Sequence, residues 1–234
     1  MKVKAAVLSE TGKPRPYANS LPLSIEEVEL DSPQSGEVLV QIKAAGLCHS
    51  DLVAVDGERA KPMPIVIGHE AAGIVCKLGP EVERLAVGDH VVTSYVASCG
   101  RCDMCQEGRP ALCLPATEAN KAGTLIDGTT RLHNNGQRIY HHSGVAAFSE
   151  HAVISQNALV KIDPKIPFEV AALFGCAVVT GVGSVVNTAK VSPGESVAIV
   201  GLGGVGLNAL LASIASGAGK VIAVDVKEKK LKIA

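Results

Sequence analysis

The segment Gly68-His69-Glu70-Ala71-Ala72-Gly73 places a histidine and a glutamate side by side between two apolar runs. Burying these two polar side chains without partners would be costly. A zinc ion is a suitable partner, because imidazole and carboxylate are both zinc ligands and a catalytic zinc usually takes three protein ligands and keeps one position open. The alternative is a strand end with a hydrogen-bonded histidine and a solvated glutamate. Motifs elsewhere in the chain are needed to distinguish this alternative from a zinc site.

A second polar cluster, Cys48-His49-Ser50-Asp51, follows an apolar strand-like segment. The thiolate of Cys48 is a candidate to complete a zinc site with His69. Asp51 is a candidate to orient a ligand histidine, because such histidines commonly donate their second ring N–H to a carboxylate. The alternative is an exposed, reactive cysteine in a loop.

The most specific pattern is a set of four cysteines with the spacing C-x2-C-x2-C-x7-C, at Cys99, Cys102, Cys105 and Cys113. Four thiolates on one short loop form a closed tetrahedral zinc site, which has a structural role because it leaves no position for substrate. An iron–sulfur cluster also takes four thiolates. The wider last gap and the nearby His-Glu pair favour zinc.

Several other cysteines and histidines receive weaker predictions. Cys76 is predicted to be a small buried hydrophobe, and Cys176 lies at a break between two helical segments, where a thiolate could reach a ligand. His90 is predicted to be structural or exposed. His141 and His142 are predicted to be structural or to line a pocket, because adjacent strand residues point to opposite faces and rarely bind one ion.

The end of the chain carries an ordered dinucleotide-binding pattern. An apolar strand at 197–200 runs into Gly201-Leu202-Gly203-Gly204-Val205-Gly206, a helix is predicted from 205 to about 216, and a second strand at 220–226 contains Asp225. Strand, G-x-G-x-x-G, helix, strand and acidic residue in this order predict a nucleotide whose pyrophosphate lies at the helix N-terminus. Asp225 would bind the ribose 2′-hydroxyl and repel a 2′-phosphate, which favours NAD over NADP.

Composition narrows the class of protein. The 234 residues are 47% apolar but only 3% aromatic, with a net charge of −1, so neither nucleic acid nor an anionic membrane is an expected partner. The N-terminal apolar run is too short for a signal peptide, and no apolar segment has the length of a membrane span, so we expect a soluble, cytoplasmic protein. Strand-like segments at 4–8, 24–30 and 37–45 predict an antiparallel, partly open barrel.

Together these motifs resemble the zinc-dependent medium-chain alcohol dehydrogenases along essentially the whole chain. The pattern Gly68-His69-Glu70-x2-Gly73-x5-Gly79-x2-Val82 is similar to the zinc signature of that family, and the cysteine loop and the glycine loop have counterparts there. The resemblance implies a mixed α/β fold. A GroES-like β-barrel catalytic domain would occupy 1–178, with its structural-zinc lobe at about 97–115, and an incomplete Rossmann NAD-binding domain would occupy 179–234.

The resemblance also implies roles for individual residues. The catalytic zinc would be held by Cys48, His69 and Cys176, with Glu70 as an exchangeable ligand, and the structural zinc by the four-cysteine loop, giving two zinc ions per chain. The residues implied to contact NAD are His49 on the pyrophosphate, Thr180 beside the nicotinamide, Gly201, Leu202, Gly203, Gly204, Val205 and Gly206 in the coenzyme loop, and Asp225 and Lys230 near the adenosine ribose. Ser50 would take the substrate proton, and Tyr95 would form an aromatic wall of the substrate pocket.

The implied reaction interconverts an alcohol and its aldehyde or ketone. Zinc would bind the alcohol oxygen and lower its pKa, Ser50 would relay the proton, and the alkoxide would give hydride to NAD. The histidine that often ends the family's relay is replaced by Val53, which leaves His49 or water as the onward route.

Three alternatives were weighed against this function. The first is a glutathione-linked formaldehyde dehydrogenase of the same family, and the second is a non-catalytic zinc-binding fragment. A zinc-free quinone reductase is disfavoured because such proteins lack both cysteine sets. Because the sequence stops at Ala234, shortly after the second Rossmann strand, we expect an N-terminal fragment with absent or very low turnover alone. The full-length parent is expected to be a homodimer or homotetramer.

Overall fold

The computed structural model describes all 234 residues, which form two compact units, Met1–Gly175 and Cys176–Ala234. The strands are β1 (Lys2–Leu8), β2 (Leu23–Leu30), β3 (Glu37–Gly46), β4 (Ile65–Val66), β5 (Glu70–Leu78), β6 (His90–Thr93), β7 (Leu132–Asn134), β8 (Gln137–His141), β9 (His151–Ser155), β10 (Leu159–Lys161), β11 (Ser196–Val200) and β12 (Lys220–Val224). The α-helices are α1 (Tyr17–Ser20), α2 (His49–Asp56), α3 (Asp103–Gln106), α4 (Leu114–Ala122), α5 (Phe168–Ala171), α6 (Ala177–Gly183), α7 (Gly204–Ala215) and α8 (Glu228–Leu231). Short 3-10 turns cover Pro110–Leu112, His142–Gly144, Gln156–Ala158 and Ala172–Gly175, and a π-helical turn covers Ser184–Ala189.

The first unit combines a barrel with a second sheet. The barrel has the strand order β1-β2-β7-β8-β4, and the five-stranded sheet has the order β10-β6-β5-β3-β9. The three strands predicted near the N-terminus are present as β1, β2 and β3. The barrel is closed rather than partly open, because the two-residue strand β4 pairs with both β1 and β8 and so removes the free edge.

Strand β3 has apolar residues on both faces, and each face packs in a different core. Leu39 belongs to the core inside the barrel, together with Val3 and Val7. Val38 and Val40 belong to the core of the second sheet. Because side chains alternate along a strand, the run Val38-Leu39-Val40 joins the two cores and fixes where the end of β3 emerges.

A buried ion pair anchors the start of β3. The guanidinium of Arg131 donates from Nε and Nη2 to the two carboxylate oxygens of Glu37 at 2.8 and 2.7 Å, and Nη2 also contacts Asp127 at 2.9 Å. Burial opposes the charge on Arg131, but hydrogen bonds to Glu37 outweigh it and raise the pKa of Arg131. A bidentate pair of this kind fixes geometry as well as charge.

Strand β5 contains a bulge that changes the environment of Cys76. Leu39 pairs with Lys77 while the next residue, Val40, pairs with Val75, so Cys76 is an extra residue without a partner on β3. A bulge interrupts the alternation of side chains. The prediction that Cys76 is buried is therefore wrong: its side chain is exposed.

The region between the cysteine loop and β9 has more regular structure than its polar, glycine-rich sequence suggests. It contains α4 and the hairpin of β7 and β8. Helix α4 has Pro115 in its first turn and ends at Gly123, whose φ of +67° favours glycine. No single helix of the chain has the length and apolar composition to cross a membrane. The broken helix pair Phe168–Gly175 and Ala177–Ala189 has this length and composition only when its two parts are counted together.

The second unit contains a parallel βαβ arrangement. Strands β11 and β12 pair in register from Ser196 opposite Lys220 to Val200 opposite Val224, and α7 connects them. The predicted order of strand, glycine loop, helix and strand is therefore confirmed. Helix α6 packs closely on α7, because a side chain at Gly181 would come within 2.4 Å of the Val205 carbonyl oxygen.

Candidate functional site

Three of the predicted metal ligands meet where β3 ends and β5 begins. Cys48, His69 and Glu70 each place one donor atom within 4.8 Å of the others, and His69 and Glu70 are almost completely buried. The pairing of Gly46 with Glu70 brings the strands together at this point. A side chain at Gly46 would lie 2.5 Å from the Glu70 carboxylate in its present position, so the glycine lets that group lie directly against β3.

The buried carboxylate of Asp51 connects the segment of Cys48 with the segment of Gly68 and His69. Its Oδ2 accepts from the Cys48 N–H at 3.0 Å, and its Oδ1 accepts from the Gly68 N–H at 3.2 Å and lies 3.0 Å from Nδ1 of His69. Burial opposes ionisation, but the neighbouring rings of His142 and His69 outweigh it and hold the pKa of Asp51 well below its usual range. An ionised carboxylate can only accept, so Nδ1 of His69 carries a proton, and Nε2 is the ring nitrogen that a metal would use.

The two adjacent histidines at the end of β8 have different partners. His142 is 5% exposed, and its Nδ1 lies 3.1 Å from Oδ1 of Asp51. Burial lowers the pKa of His142, although Asp51 acts in the opposite direction. His141 instead accepts the Arg131 N–H at Nε2, at 3.1 Å, and complete burial lowers the pKa of His141 to about 4. The pair therefore does not act as one ligand set, and the place of His142 beside Asp51 was not foreseen.

Thr93, at the end of β6, fixes the backbone of the donor segment. Its Oγ1 donates to the carbonyl of His69 and accepts from the N–H of Ala71, both at 3.0 Å. Gly175, the last residue of the first unit, packs so closely on Thr93 that a side chain there would lie 2.5 Å from the Thr93 carbonyl oxygen. Sequence reasoning missed Thr93; the only signal was a threonine at the end of the otherwise apolar run Val91-Val92.

The other predicted residues of the first unit surround this point. His49 and Ser50 form the first turn of α2, immediately after Cys48, and both are exposed. The ring of Tyr95 is 39% exposed and stands edge-on to the ring of His69, with centroids 6.3 Å apart. His90 is partly buried and its ring lies 4.6 Å from that of Phe168, in agreement with a structural role.

The four-cysteine loop has the geometry of a closed metal site. One ligand atom of each cysteine lies within 4.8 Å of the others, and Sγ of Cys102 is 3.6 Å from Sγ of Cys105 and 3.9 Å from Sγ of Cys113. A tetrahedral zinc with Zn–S bonds of about 2.3 Å requires sulfurs about 3.8 Å apart. Backbone hydrogen bonds from Arg101 and Cys102 lower the pKa of Cys99 to about 6, which favours the thiolate. These sulfurs fit zinc.

The glycine loop of the second unit is shaped for a phosphate. Gly201 has a φ of +94°, which favours glycine, and a side chain at Gly206 would lie 1.8 Å from the Gly201 carbonyl oxygen. A side chain at Gly203 would meet no atom within 4 Å, so open space lies beside the N-terminus of α7. Open space at a helix N-terminus is where a pyrophosphate binds.

Asp225 lies directly after β12 and contacts the glycine loop. Its Oδ2 accepts from the Leu202 N–H at 2.7 Å, its Oδ1 accepts from the Lys227 N–H at 2.8 Å, and Nζ of Lys230 is 3.5 Å away. The hydrogen bond from Leu202, followed by that from Lys227, lowers the pKa of Asp225.

Thr180 is exposed on α6, and Cys176 directly precedes that helix.

Comparison with known proteins agrees with these features. Residues 34–165 match the family model of the alcohol dehydrogenase GroES-like domain. The S-(hydroxymethyl)glutathione dehydrogenase of Synechocystis sp. is 43% identical over 235 residues, which cover 100% of this chain and 62% of that relative. The chain thus spans less than two thirds of the length of this curated relative.

Two crystal structures show the same fold. The alcohol dehydrogenase zinc-binding domain protein from Burkholderia ambifaria superposes with a TM-score of 0.91 and 36% identity, over 100% of this chain and 61% of that one. Benzyl alcohol dehydrogenase from Acinetobacter calcoaceticus gives a TM-score of 0.89 and 35% identity, over the same shares of the two chains. The chain belongs to the family of alcohol dehydrogenases with a GroES-like domain.

Proposed function

We propose that the protein is a zinc-dependent oxidoreductase that interconverts an alcohol and its aldehyde or ketone with NAD. The observation that carries this proposal is the meeting of Cys48, His69 and Glu70 next to Asp51, which contacts Nδ1 of His69. Family membership supports the same activity. The relatives named above as S-(hydroxymethyl)glutathione and benzyl alcohol dehydrogenases favour a small substrate with a terminal hydroxymethyl group.

The proposed catalytic zinc is held by Cys48, His69 and Cys176, with Glu70 as an exchangeable ligand. The support for Cys176 is its covalent position after Gly175, which packs on Thr93, the residue that holds the His69 carbonyl. A second zinc, with a structural role, is proposed for the four-cysteine loop. When bound, the catalytic zinc supplies Lewis-acid polarisation of the substrate oxygen, and NAD accepts the hydride.

The residues of the chain supply positioning and proton transfer. Asp51 keeps the proton on Nδ1 of His69 and so fixes that ring. The exposed hydroxyl of Ser50 takes the substrate proton, and His49 or water carries it onward because Val53 has no group that accepts a proton.

NAD binding is proposed for the second unit and for His49. Residues 201–206 would receive the pyrophosphate, with His49 as a cationic contact. Asp225 and Lys230 would bind the adenosine ribose, and Thr180 would pack beside the nicotinamide. A carboxylate at this place disfavours the 2′-phosphate of NADP. The whole protein is proposed to work in the cytoplasm as a homodimer or homotetramer.

Zinc content tests this proposal. Elemental analysis of the purified protein should give two zinc ions per chain, and Cys176→Ser and Cys99→Ser should each reduce this to one, because each removes a ligand from a different site. One zinc ion that Cys176→Ser does not change would contradict the proposed catalytic site.

Activity tests the assignment of Ser50. NADH formation with benzyl alcohol and with S-(hydroxymethyl)glutathione should depend on the zinc that Cys176→Ser removes. Ser50→Ala should lower kcat by about 10²- to 10⁴-fold with zinc content unchanged, because general acid–base groups contribute by that factor. An unchanged kcat would remove Ser50 from the proton path.

A further inference from the structure

We propose that His142 is a positioning residue for the metal centre. Together with Asp51, it holds the ring of His69 in the orientation that presents Nε2 to the metal. The inference rests on the proposed function, since it gives His142 a role only if His69 is a zinc ligand. It adds a residue that the ligand set and the proton path do not use.

Three groups converge on a single oxygen atom, Oδ1 of Asp51. They are the Gly68 N–H at 3.2 Å, Nδ1 of His69 at 3.0 Å and Nδ1 of His142 at 3.1 Å. An ionised carboxylate can only accept hydrogen bonds, so each ring nitrogen that faces Asp51 presents a proton. The His142 contact has hydrogen-bond distance but is poorly aligned, so it acts mainly as a directed electrostatic contact. It holds the carboxylate from a segment separate from both Gly68 and His69.

The two rings also limit each other directly. The planes of His69 and His142 meet at 86° with centroids 5.3 Å apart, and both side chains are almost completely buried. A rotation of the His69 ring about its Cβ–Cγ bond would break the contact of Nδ1 with Asp51 and drive the ring edge towards His142. The orientation of Nε2 is therefore fixed from two directions.

The backbone next to His142 agrees with a constrained position. Ser143 adopts a left-handed conformation with φ of +56°. A non-glycine residue in this region is strained and persists only where the surrounding structure enforces it, commonly near functional sites. The turn at 142–144 thus has a constrained backbone directly after the residue that contacts Asp51.

The neighbouring His141 provides a matched control. It is also buried and belongs to the same segment, but it faces the Arg131 N–H rather than Asp51. The same substitution at the two positions therefore separates loss of a buried histidine from loss of the contact with Asp51.

The test measures transfer of zinc to a competing chelator from the wild type, His142→Phe, His142→Asn and His141→Phe. Phenylalanine keeps a ring but has no N–H, whereas the asparagine amide offers an N–H near the position of Nδ1. We expect His142→Phe to weaken the zinc site of Cys48 and His69 by about 10- to 100-fold, the usual effect of losing an outer partner of a metal ligand. His142→Asn should restore near-wild-type affinity, and His141→Phe should retain it. The zinc of the four-cysteine loop is the internal reference.

Each contrary result has a distinct meaning. Wild-type affinity in His142→Phe, no recovery in His142→Asn, or an equal loss in His141→Phe or at both zinc sites would overturn the inference while leaving the proposed function intact. A wild type that holds one zinc ion, removed by Cys99→Ser, would overturn the proposed function and this inference together.

Discussion

The carboxylate of Asp51 accepts two backbone N–H groups and faces two imidazole rings in a space almost closed to water. A buried charge is tolerated only when its partners replace the lost hydration. Here these partners come from the end of β3, the start of β5 and the turn after β8. The same contacts that stabilise the charge therefore hold together the segments that carry the proposed ligands.

Gly46→Ala tests how closely the Glu70 carboxylate is fitted. The new methyl group would lie 2.5 Å from Oε2, at the flexible end of a side chain. The carboxylate can move away, so we expect the free energy of unfolding to change by less than about 1 kcal/mol. Chelator competition should nevertheless show altered zinc affinity at this site.

Gly73→Ala is the matched control in the same strand. Its methyl group would lie 2.2 Å from the backbone oxygen of Gln41, which cannot move without disturbing the pairing of β3 and β5. We expect a loss of about 1–3 kcal/mol in denaturant unfolding, the usual cost of overpacking. Equal losses of stability in the two variants would contradict the expectation that the Glu70 carboxylate moves away from a methyl group at Gly46.

His141 makes the stability of the protein depend on pH. Its pKa is about 4 in the folded protein against 6.5 ordinarily. The unfolded chain therefore binds this proton more readily, and stability falls as the pH is lowered from about 6.5 to about 4, by about 3 kcal/mol in total for this group. Denaturant unfolding across this range should show a shallower pH dependence in His141→Phe than in the wild type. Parallel curves would contradict the assignment.

At the scale of elements, the sequence predicts best what depends on nearby residues. The unit of β11, α7 and β12 was foreseen because strand period, glycine spacing and the acidic residue all lie within about 30 residues, as in any βαβ nucleotide site. The cysteine loop was foreseen for the same reason. Thr93 and the bulge at Cys76 were not foreseen, since both depend on how β5 pairs with strands distant in sequence.

The glycine loop allows steric and ligand-binding effects to be separated. Gly206→Ala should lower the melting temperature, because its methyl group would overlap the Gly201 carbonyl. Gly203→Ala should leave the melting temperature unchanged, since the space around it is open, but should weaken NAD binding because the methyl group occupies the space proposed for the pyrophosphate. Thermal unfolding and calorimetric titration with NAD measure the two effects. Unchanged NAD affinity in Gly203→Ala would place the pyrophosphate elsewhere.

At the scale of the whole molecule, the two largest apolar cores of the first unit share β3, whereas the four-cysteine loop contributes little to either. Among its cysteines only Cys113 is fully buried, and the neighbouring Leu112 and Leu114 are exposed. The sequence predicted the class of fold because alternating strands and turns are visible locally. It did not predict closure of the barrel, which depends on a two-residue strand too short to show a pattern.

Removal of zinc should therefore affect the first unit unevenly. We expect a chelator to unfold the segment at about 97–115 while the barrel stays folded, because metal ligation replaces a core in such lobes. Trypsin should then cleave after Arg101, and hydrogen exchange should remain slow in β1 and β2. Cys99→Ser should reproduce the pattern without chelator, and simultaneous loss of protection in the barrel strands would contradict it.

The bulge in β5 has a practical consequence for spectroscopy. Of the seven cysteines, Cys76 is the one that is exposed and stands outside both proposed ligand sets. A maleimide-linked fluorophore or nitroxide should therefore attach there in the zinc-loaded protein at one label per chain, with both metals retained. Such a probe would report on β5 near the bulge while leaving the chemistry of the donor groups undisturbed.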